Sequence, residues 1–218
     1  MLQHRYQGQL DERADQYIEF AVDGAKRMQV LINDLLSFSR VGRIGAEQKP
    51  VSMATAADDA VKNLGAAIEE ADAEVVVQDD LPTVSGDRSL LTALLQNLIG
   101  NAIKFRTEGV APRVRLSAVR GETEYVFAVE DNGIGIAPRH ADRIFVIFQR
   151  LHPKEEFTGT GIGLAMCRKI VEFHGGRIWL DRDEDGDPDA DAGPGATFRF
   201  TLPIPDDDDD VRERESTP

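Results

Sequence analysis

The sequence predicts an α/β fold: a two-layer α/β sandwich, a mixed sheet covered on one face by helices, preceded by a long helix of a helical bundle. Three observations predict it. Residues 9–40 space apolar side chains at alternating steps of four and three, a helical stripe. From residue 51 onward, strand-type alternation and helical periodicity take turns along the chain. Glycine-rich segments follow one predicted strand and precede one predicted helix, where backbone can approach a ligand closely.

The long helix carries Tyr17, Ala21, Gly24, Met28, Leu31, Leu35 and Phe38 on its stripe, widened by Ile18, Val22, Ile32 and Leu36. One isolated helix cannot hide such a stripe, so it meets other helices or folds back on its own domain. Gly42, Gly45 and Pro50 mark a linker over 43–50. The main domain then runs over 51–205. It opens with an alanine-rich helix from Ala54 to Ala71, a strand from Glu74 to Gln78, and a short extended piece between Pro82 and Gly86. Asp87 is the predicted N-cap of a helix from Arg88 to Phe105, with Leu91, Leu94, Leu95, Leu98, Ala102 and Phe105 on its buried side. Asn97, Asn101 and Lys104 recur at i, i+4 and i+7 and share a face of it. Arg113 to Arg120 and Glu124 to Glu130 read as paired strands around Gly121. A helix from Leu164 to Phe173 and strands at Arg177–Asp181 and Thr197–Leu202 complete the order.

Composition narrows the function. The 218 residues suffice for one core and an appended element. The net charge of −14 excludes a nucleic-acid partner, which needs a basic face. Much of it is local: residues 181–191 carry −6 and the tail 206–218 carries −5, leaving little around the predicted site. The tail reads as disordered. Asp181 to Asp189 resembles the start of a calcium loop, yet Ala192 stands where a bidentate glutamate is wanted, so an acidic hairpin loop is the better reading. No run of eighteen apolar residues exists, so no membrane contact is expected of this chain. A single cysteine, Cys167, is compatible with a reducing cytoplasm.

The chemistry sits in three fragments. The apolar run Tyr125–Glu130 delivers Asp131 at a strand end, where a carboxylate can accept a hydrogen bond from an adenine amino group. Gly159 to Gly163 precede a helix, so their N–H groups and the helix dipole suit phosphates. Asn97-Leu-Ile-Gly-Asn101 adds two amides on one helical face.

Together with Ile144-Phe-Val-Ile-Phe148, the fragments Asn97–Asn101, Asp131-Asn-Gly-Ile-Gly-Ile136 and Gly159-Thr-Gly-Ile-Gly-Leu164 resemble the N, F and two glycine boxes of sensor histidine kinases. The resemblance covers residues 10–204 and implies the Bergerat-type ATP-binding fold of the GHKL superfamily. It implies ATP and Mg²⁺ as ligands, with Asn101 on the metal and Asn97, Lys104 and Arg150 as the catalytic set. Asp131, Gly133, Gly135 and Ile136 would bind the base, joined by Thr197 through water. Phe148, Gly159, Thr160, Gly161, Gly163 and Leu164 would surround the rest of the nucleotide, beneath a lid over Val146–Thr158 whose His152 and Lys154 can add charge.

The resemblance further implies that residues 1–42 are part of a dimerisation hairpin, mainly its second helix, forming a homodimer through 9–40. A response-regulator receiver domain is the implied downstream partner. His4, followed by Arg5 and Tyr6, lacks the acid and proline that follow a phosphoacceptor, so the resemblance implies an acceptor helix supplied from a missing upstream segment. Chaperone, MutL-type and anti-sigma-factor relatives carry glutamate at the position of Asn97; a carboxylate can take a proton from an attacking water or hydroxyl, an amide cannot, so Asn97 favours a histidine kinase over a hydrolase or serine kinase. A non-catalytic nucleotide-binding or dimerisation module, or a GHKL ATPase, is the alternative reading.

Overall fold

The computed structural model describes residues 11–41, 48–151, 157, 159–181 and 193–205. His4, the core of the acidic loop, the 206–218 tail, Gly42 to residue 47 of the linker, and His152 and Lys154 of the lid lie outside the described residues. Two compact units result, Met1–Arg40 and Val41–Pro218, each described by itself.

In the first unit the described residues form helix α1, Glu12–Arg40. Asp11 starts it, its Oδ1 accepting from Ala14 N at 2.8 Å, which satisfies one of the unpaired donors of a helix start. Tyr17, Phe20, Met28, Ile32, Leu35 and Leu36 are exposed along it. Of the predicted stripe, Tyr17, Met28, Ile32, Leu35 and Leu36 are exposed apolar surface, while Ile18, Val22, Leu31 and Phe38 are half-buried.

The second unit is a five-stranded sheet in the order β2-β4-β5-β7-β6, formed by Glu74–Val77 (β2), Arg113–Arg120 (β4), Glu124–Asp131 (β5), Ile178–Leu180 (β6) and Thr197–Pro203 (β7). Strands β2 and β4 are parallel and the other pairs antiparallel, so the sheet is mixed. Helices α2 (Met53–Asn63), α3 (Gly65–Ala71), α4 (Arg88–Lys104) and α5 (Gly163–Phe173) supply the other layer. Leu91, Leu94, Leu95 and Leu98 of α4 are buried, as their spacing predicts, and Ile99 and Ile103 join them. The sheet answers with Phe127 and Phe200, paired in register and stacked at 4.8 Å between ring centroids. This is the two-layer sandwich that the sequence predicts.

Two features depart from the sequence reading. The helix expected over Ala54–Ala71 breaks at Leu64, between α2 and α3. Asn63 and Gly65 are poor helix formers, and the break keeps Leu64 and Ile68 packed against the core. The stretch read as linker contains the start of a strand, β1 (Lys49–Ser52), paired antiparallel with β3 (Thr83–Gly86) in a separate two-stranded sheet. Pro50 is tolerated there because the pair is short and has open edges.

Asp87 caps α4 as expected, accepting from Ser89 N at 2.8 Å and Leu90 N at 3.2 Å. A second tie fixes the same point. The His174 ring, 3% exposed at the end of α5, accepts from Asp87 N at Nε2 (3.0 Å) and donates from Nδ1 to Ile170 O (2.7 Å). It thus joins the start of α4 to the end of α5 as a neutral imidazole. Burial pulls its pKa below the usual histidine value, against the opposing pull of Ile170 O and Asp87. The unfolded chain takes up a proton near pH 6.5 while the native chain does not. The stability is therefore complete above that pH and declines as pH falls towards the native value, by at most about 1.4 kcal/mol per pH unit. We expect His174→Gln to shrink the drop in melting temperature between pH 7.5 and pH 5.5; a drop equal to that of the unmutated chain would contradict this.

Candidate functional site

Strand β5 ends at Asp131, which the register places beside Val114 of β4 and one step past the Glu130–Thr197 pair with β7. The carboxylate is turned into the protein. Its Oδ1 accepts from Gly133 N at 2.8 Å and Ala196 N at 3.1 Å. Both bonds use Oδ1, so Oδ2 keeps its acceptor capacity among the described residues. Burial raises the Asp131 pKa, and the two N–H bonds offset only part of that.

The glycines after Asp131 tie this strand end to α4. Ile134 N donates to Phe105 O at 3.0 Å, and a Cβ on Gly133 would lie 2.4 Å from that same oxygen. Phe105 N in turn closes the helix onto Asn101 O at 2.9 Å. The strand-end carboxylate's segment and the asparagine helix are therefore joined at Phe105, whose O accepts from Ile134 N and whose N closes the helix. Ile136 packs against the core next to them.

Along α4, Asn97, Asn101 and Lys104 are each half-buried on the shared face. Asn97 donates from Nδ2 to Ala93 O at 2.9 Å, which turns its Oδ1 towards Gly163; a Cβ there would come within 2.7 Å of that oxygen. Lys104 Nζ would be 2.9 Å from a Cβ on Gly159 and lies 4.3 Å from the Phe105 ring centroid. Burial, and then the charge of Arg150, pull the Lys104 pKa down. Two cations held together in a partly dry place make a site that favours an anion.

The second glycine segment covers this face. Arg150 donates to Gly159 O (2.9 Å) and to Phe157 O (2.5 Å), and Phe148 N donates to Gly161 O at 3.0 Å. Gly161 has φ +76°, and a Cβ would meet Phe148 and Gln149 backbone at 3.0–3.1 Å. Helix α5 begins at Gly163 with Ile162 as its N-cap residue, and no side chain caps it among the described residues. Its first N–H groups are thus available to an anion. Thr160 is half-buried in this segment, and Leu164 packs on the core. Phe148 is the outlier: φ is +65°, unusual for a bulky side chain, and the residue is 58% exposed.

The structure therefore brings Asp131, Gly133, Asn97, Asn101, Lys104, Arg150 and Gly159–Gly163 around the C-terminal half of α4, while Gly135 packs on the backbone of Gly193 and Gly195 and Thr197 stands next to Asp131 across the sheet. Phe148 stands exposed instead. A separate hollow of about 600 Å³ flanks the β2–β4 edge near Glu74, Arg113, Arg115 and Glu130, and touches the site only through Asp131 and Asn132. No group of three or more His, Cys, Asp or Glu stands together among the described residues, so none of them forms a metal cage made of protein alone. Gly195 and Ala196, which bond to the first glycine segment, escaped the sequence reading. The signal was there in Gly193-Pro-Gly195 immediately before a strand.

A sheet-and-helix sandwich whose strand-end carboxylate, paired amides and glycine-led helix converge is a nucleotide-binding module. Residues 86–206 match the family described as histidine kinase-, DNA gyrase B-, and HSP90-like ATPase, and the chain belongs to this family. It is 49% identical over 181 residues to cyanobacterial phytochrome A of Nostoc sp., covering 83% of this chain and 23% of that protein. The chain thus spans about a quarter of the length of the curated relatives it matches. Full-length ShkA in complex with AMPPNP is similar in structure, with TM-score 0.66, 27% identity, and coverage of 88% of this chain and 39% of that one. Histidine kinase ThkA in complex with the response regulator protein TrrA has the same fold, with TM-score 0.64 at 22% identity over 92% of this chain and 55% of that one. The catalytic unit is that of the histidine kinase branch.

Proposed function

We propose that this chain is the ATP-binding catalytic part of a two-component sensor histidine kinase, transferring the γ-phosphoryl group of ATP to a histidine nitrogen on a dimerisation helix. The observation that carries the reading is Asn97 Oδ1 turned to Gly163, where the second glycine segment enters α5. An amide there can orient groups around a phosphate but cannot take a proton from water. Such transfer depends chiefly on positioning and charge stabilisation.

In this reading Asp131 Oδ2 accepts from the adenine amino group, and Gly133, Gly135 and Ile136 offer the ring a close backbone and apolar wall. Thr197 reaches the base through water. The Gly159–Gly163 N–H groups and the start of α5 take phosphate oxygens, with Thr160 and Leu164 holding that turn in place. Lys104 and Arg150 offset the triphosphate charge; Arg150 does so by leaving the carbonyls of Phe157 and Gly159 that it now holds. The neutral amide oxygen of Asn101 suits a hard cation that keeps several waters and shares phosphate oxygens. Mg²⁺ held there would neutralise charge on the outer phosphates.

Lys104→Met tests the phosphate end. Removing a desolvated cation should leave the nucleotide-free chain at least as stable, and weaken ATP about tenfold, the effect of about 1.4 kcal/mol. Calorimetric titration beside a thermal melt checks both; unchanged ATP affinity would remove Lys104 from the site.

A homodimer through α1 is supported by its exposed stripe of Tyr17, Phe20, Met28, Ile32, Leu35 and Leu36. A response-regulator receiver domain as partner has its precedent in the ThkA–TrrA complex. No helix among the described residues is long and apolar enough to cross a membrane, and we place the ATP-dependent reaction in the cytoplasm. The test mixes the chain with ATP labelled on the γ-phosphate and a protein carrying an acceptor helix. Acid-labile label on the acceptor histidine is expected. Label on His4, or release of phosphate without transfer, contradicts the reading.

A further inference from the structure

Glu130 and Thr197 form the last β5–β7 pair, yet the ladder does not stop there. Asp131 N donates to Ala196 O at 2.9 Å, and Gly195 N donates to Gly133 O at 2.8 Å. Ala196 N then reaches the Asp131 side chain itself, 65 residues away in sequence, at Oδ1. Space for this is available only to glycine. Gly195 has φ +78°, and a Cβ would lie 2.0 Å from Asp131 O; a Cβ on Gly135 would lie 1.9 Å from Gly193 O. The two backbones interlock.

The local partner of Asp131 Oδ1, Gly133 N, is an ordinary turn contact two residues on. It leaves the carboxylate free to swing about the strand end. The second donor comes from a different segment and fixes the carboxylate plane, because two donors converge on one oxygen. That leaves Oδ2 aimed in a single direction.

We propose that Gly195 and Ala196 are positioning residues for base recognition: the Ala196 N–H occupies Asp131 Oδ1 so that Oδ2 is presented to the exocyclic amino group of adenine. The proposal rests on the reading of Asp131 as the adenine acceptor. The preference for adenine is then set partly from the end of the β6–β7 connection, and not by the first glycine segment alone. A guanine base, with a carbonyl oxygen where adenine has the amino group, meets an oriented carboxylate as a repulsive partner.

Ala196→Pro removes the donor and keeps the carbonyl that Asp131 N uses. Calorimetry should show ATP affinity about tenfold weaker, as expected for losing a bond to a charged group. GTP affinity should change less than about twofold, so the ATP-over-GTP preference narrows. In an Asp131→Asn background the same substitution should cost ATP little, because the oriented acceptor is already gone. Equal costs in both backgrounds, or ATP and GTP weakened alike, would reduce Ala196 to a structural role and overturn the proposal. A readout that needs no proline variant is the Ala196 amide proton of the unmutated chain, followed by NMR. It should shift with ATP and saturate together with Gly133; an amide indifferent to ATP overturns the proposal as well. If the unmutated chain binds neither ATP nor GTP, the nucleotide reading falls and takes this proposal with it.

Discussion

Asp131→Asn weakens ATP binding at least about tenfold and raises the melting temperature of the nucleotide-free chain. The first effect follows from where the two donors sit. Gly133 N and Ala196 N both hold Oδ1, so an asparagine keeps its oxygen there and turns Nδ2 towards the base. A donor then faces the adenine amino donor, and a charge-assisted bond of roughly 1.5–3 kcal/mol is replaced by repulsion. The second effect follows from burial. The native Asp131 pKa lies above its usual value because the carboxylate is desolvated. A raised native pKa means stability is complete below the unfolded value near 3.9 and is lost as pH rises through the native one. At neutral pH the folded chain therefore carries the cost of a partly buried anion, which asparagine removes. A gain of about 1 kcal/mol would appear as about 2–4 °C in a domain of this size. Titration calorimetry and a melt at pH 7.5 read both effects. A variant that is less stable and still binds ATP normally contradicts the assignment.

Asn97→Ala abolishes most phosphotransfer while sparing affinity. Its amide is anchored by a bond to Ala93 O, one turn back on its own helix, and points its oxygen at Gly163. Alanine is the better helix former, so α4 stands without it. Losing one positioned polar group at a reacting centre costs on the order of 10²–10³ in rate. We expect single-turnover transfer to an acceptor histidine to fall by about that factor, with ATP affinity changing less than about threefold. A parallel fall in rate and affinity would mean Asn97 only binds ground-state nucleotide.

The elements that dominate the core are legible in the sequence for a physical reason. Helix α4 and the β4–β5 hairpin are long and periodic, so burial and spacing agree: Leu91, Leu94, Leu95 and Leu98 face inward, Val114 and Leu116 alternate on β4, and Phe127 to Val129 are buried on β5. Asp87 is legible as a cap because its side chain acts within three residues. Strand β1 is not. Four residues containing a proline carry no period, and only its partner β3, more than thirty residues on, makes it a strand. The break at Leu64 is likewise decided by what Leu64 and Ile68 must touch. In the site, the glycine segments and the asparagine face are visible as local patterns. The Ala196–Asp131 bond is not, because it joins positions 65 residues apart through a backbone N–H that any residue but proline possesses. The proton-sensitive tie from His174 to Asp87 N is hidden for the same reason, since its partner is backbone on another element.

The central claim is that the strand-end carboxylate, the asparagine face and the second glycine segment serve one nucleotide. Backbone amide NMR during titration with a non-hydrolysable ATP analogue and Mg²⁺ tests it most directly. The account predicts that Gly133, Gly135, Asn101 and Gly159 to Gly163 shift together and saturate at one equivalent. Shifts confined to one of these groups, or saturating at separate concentrations, would contradict it.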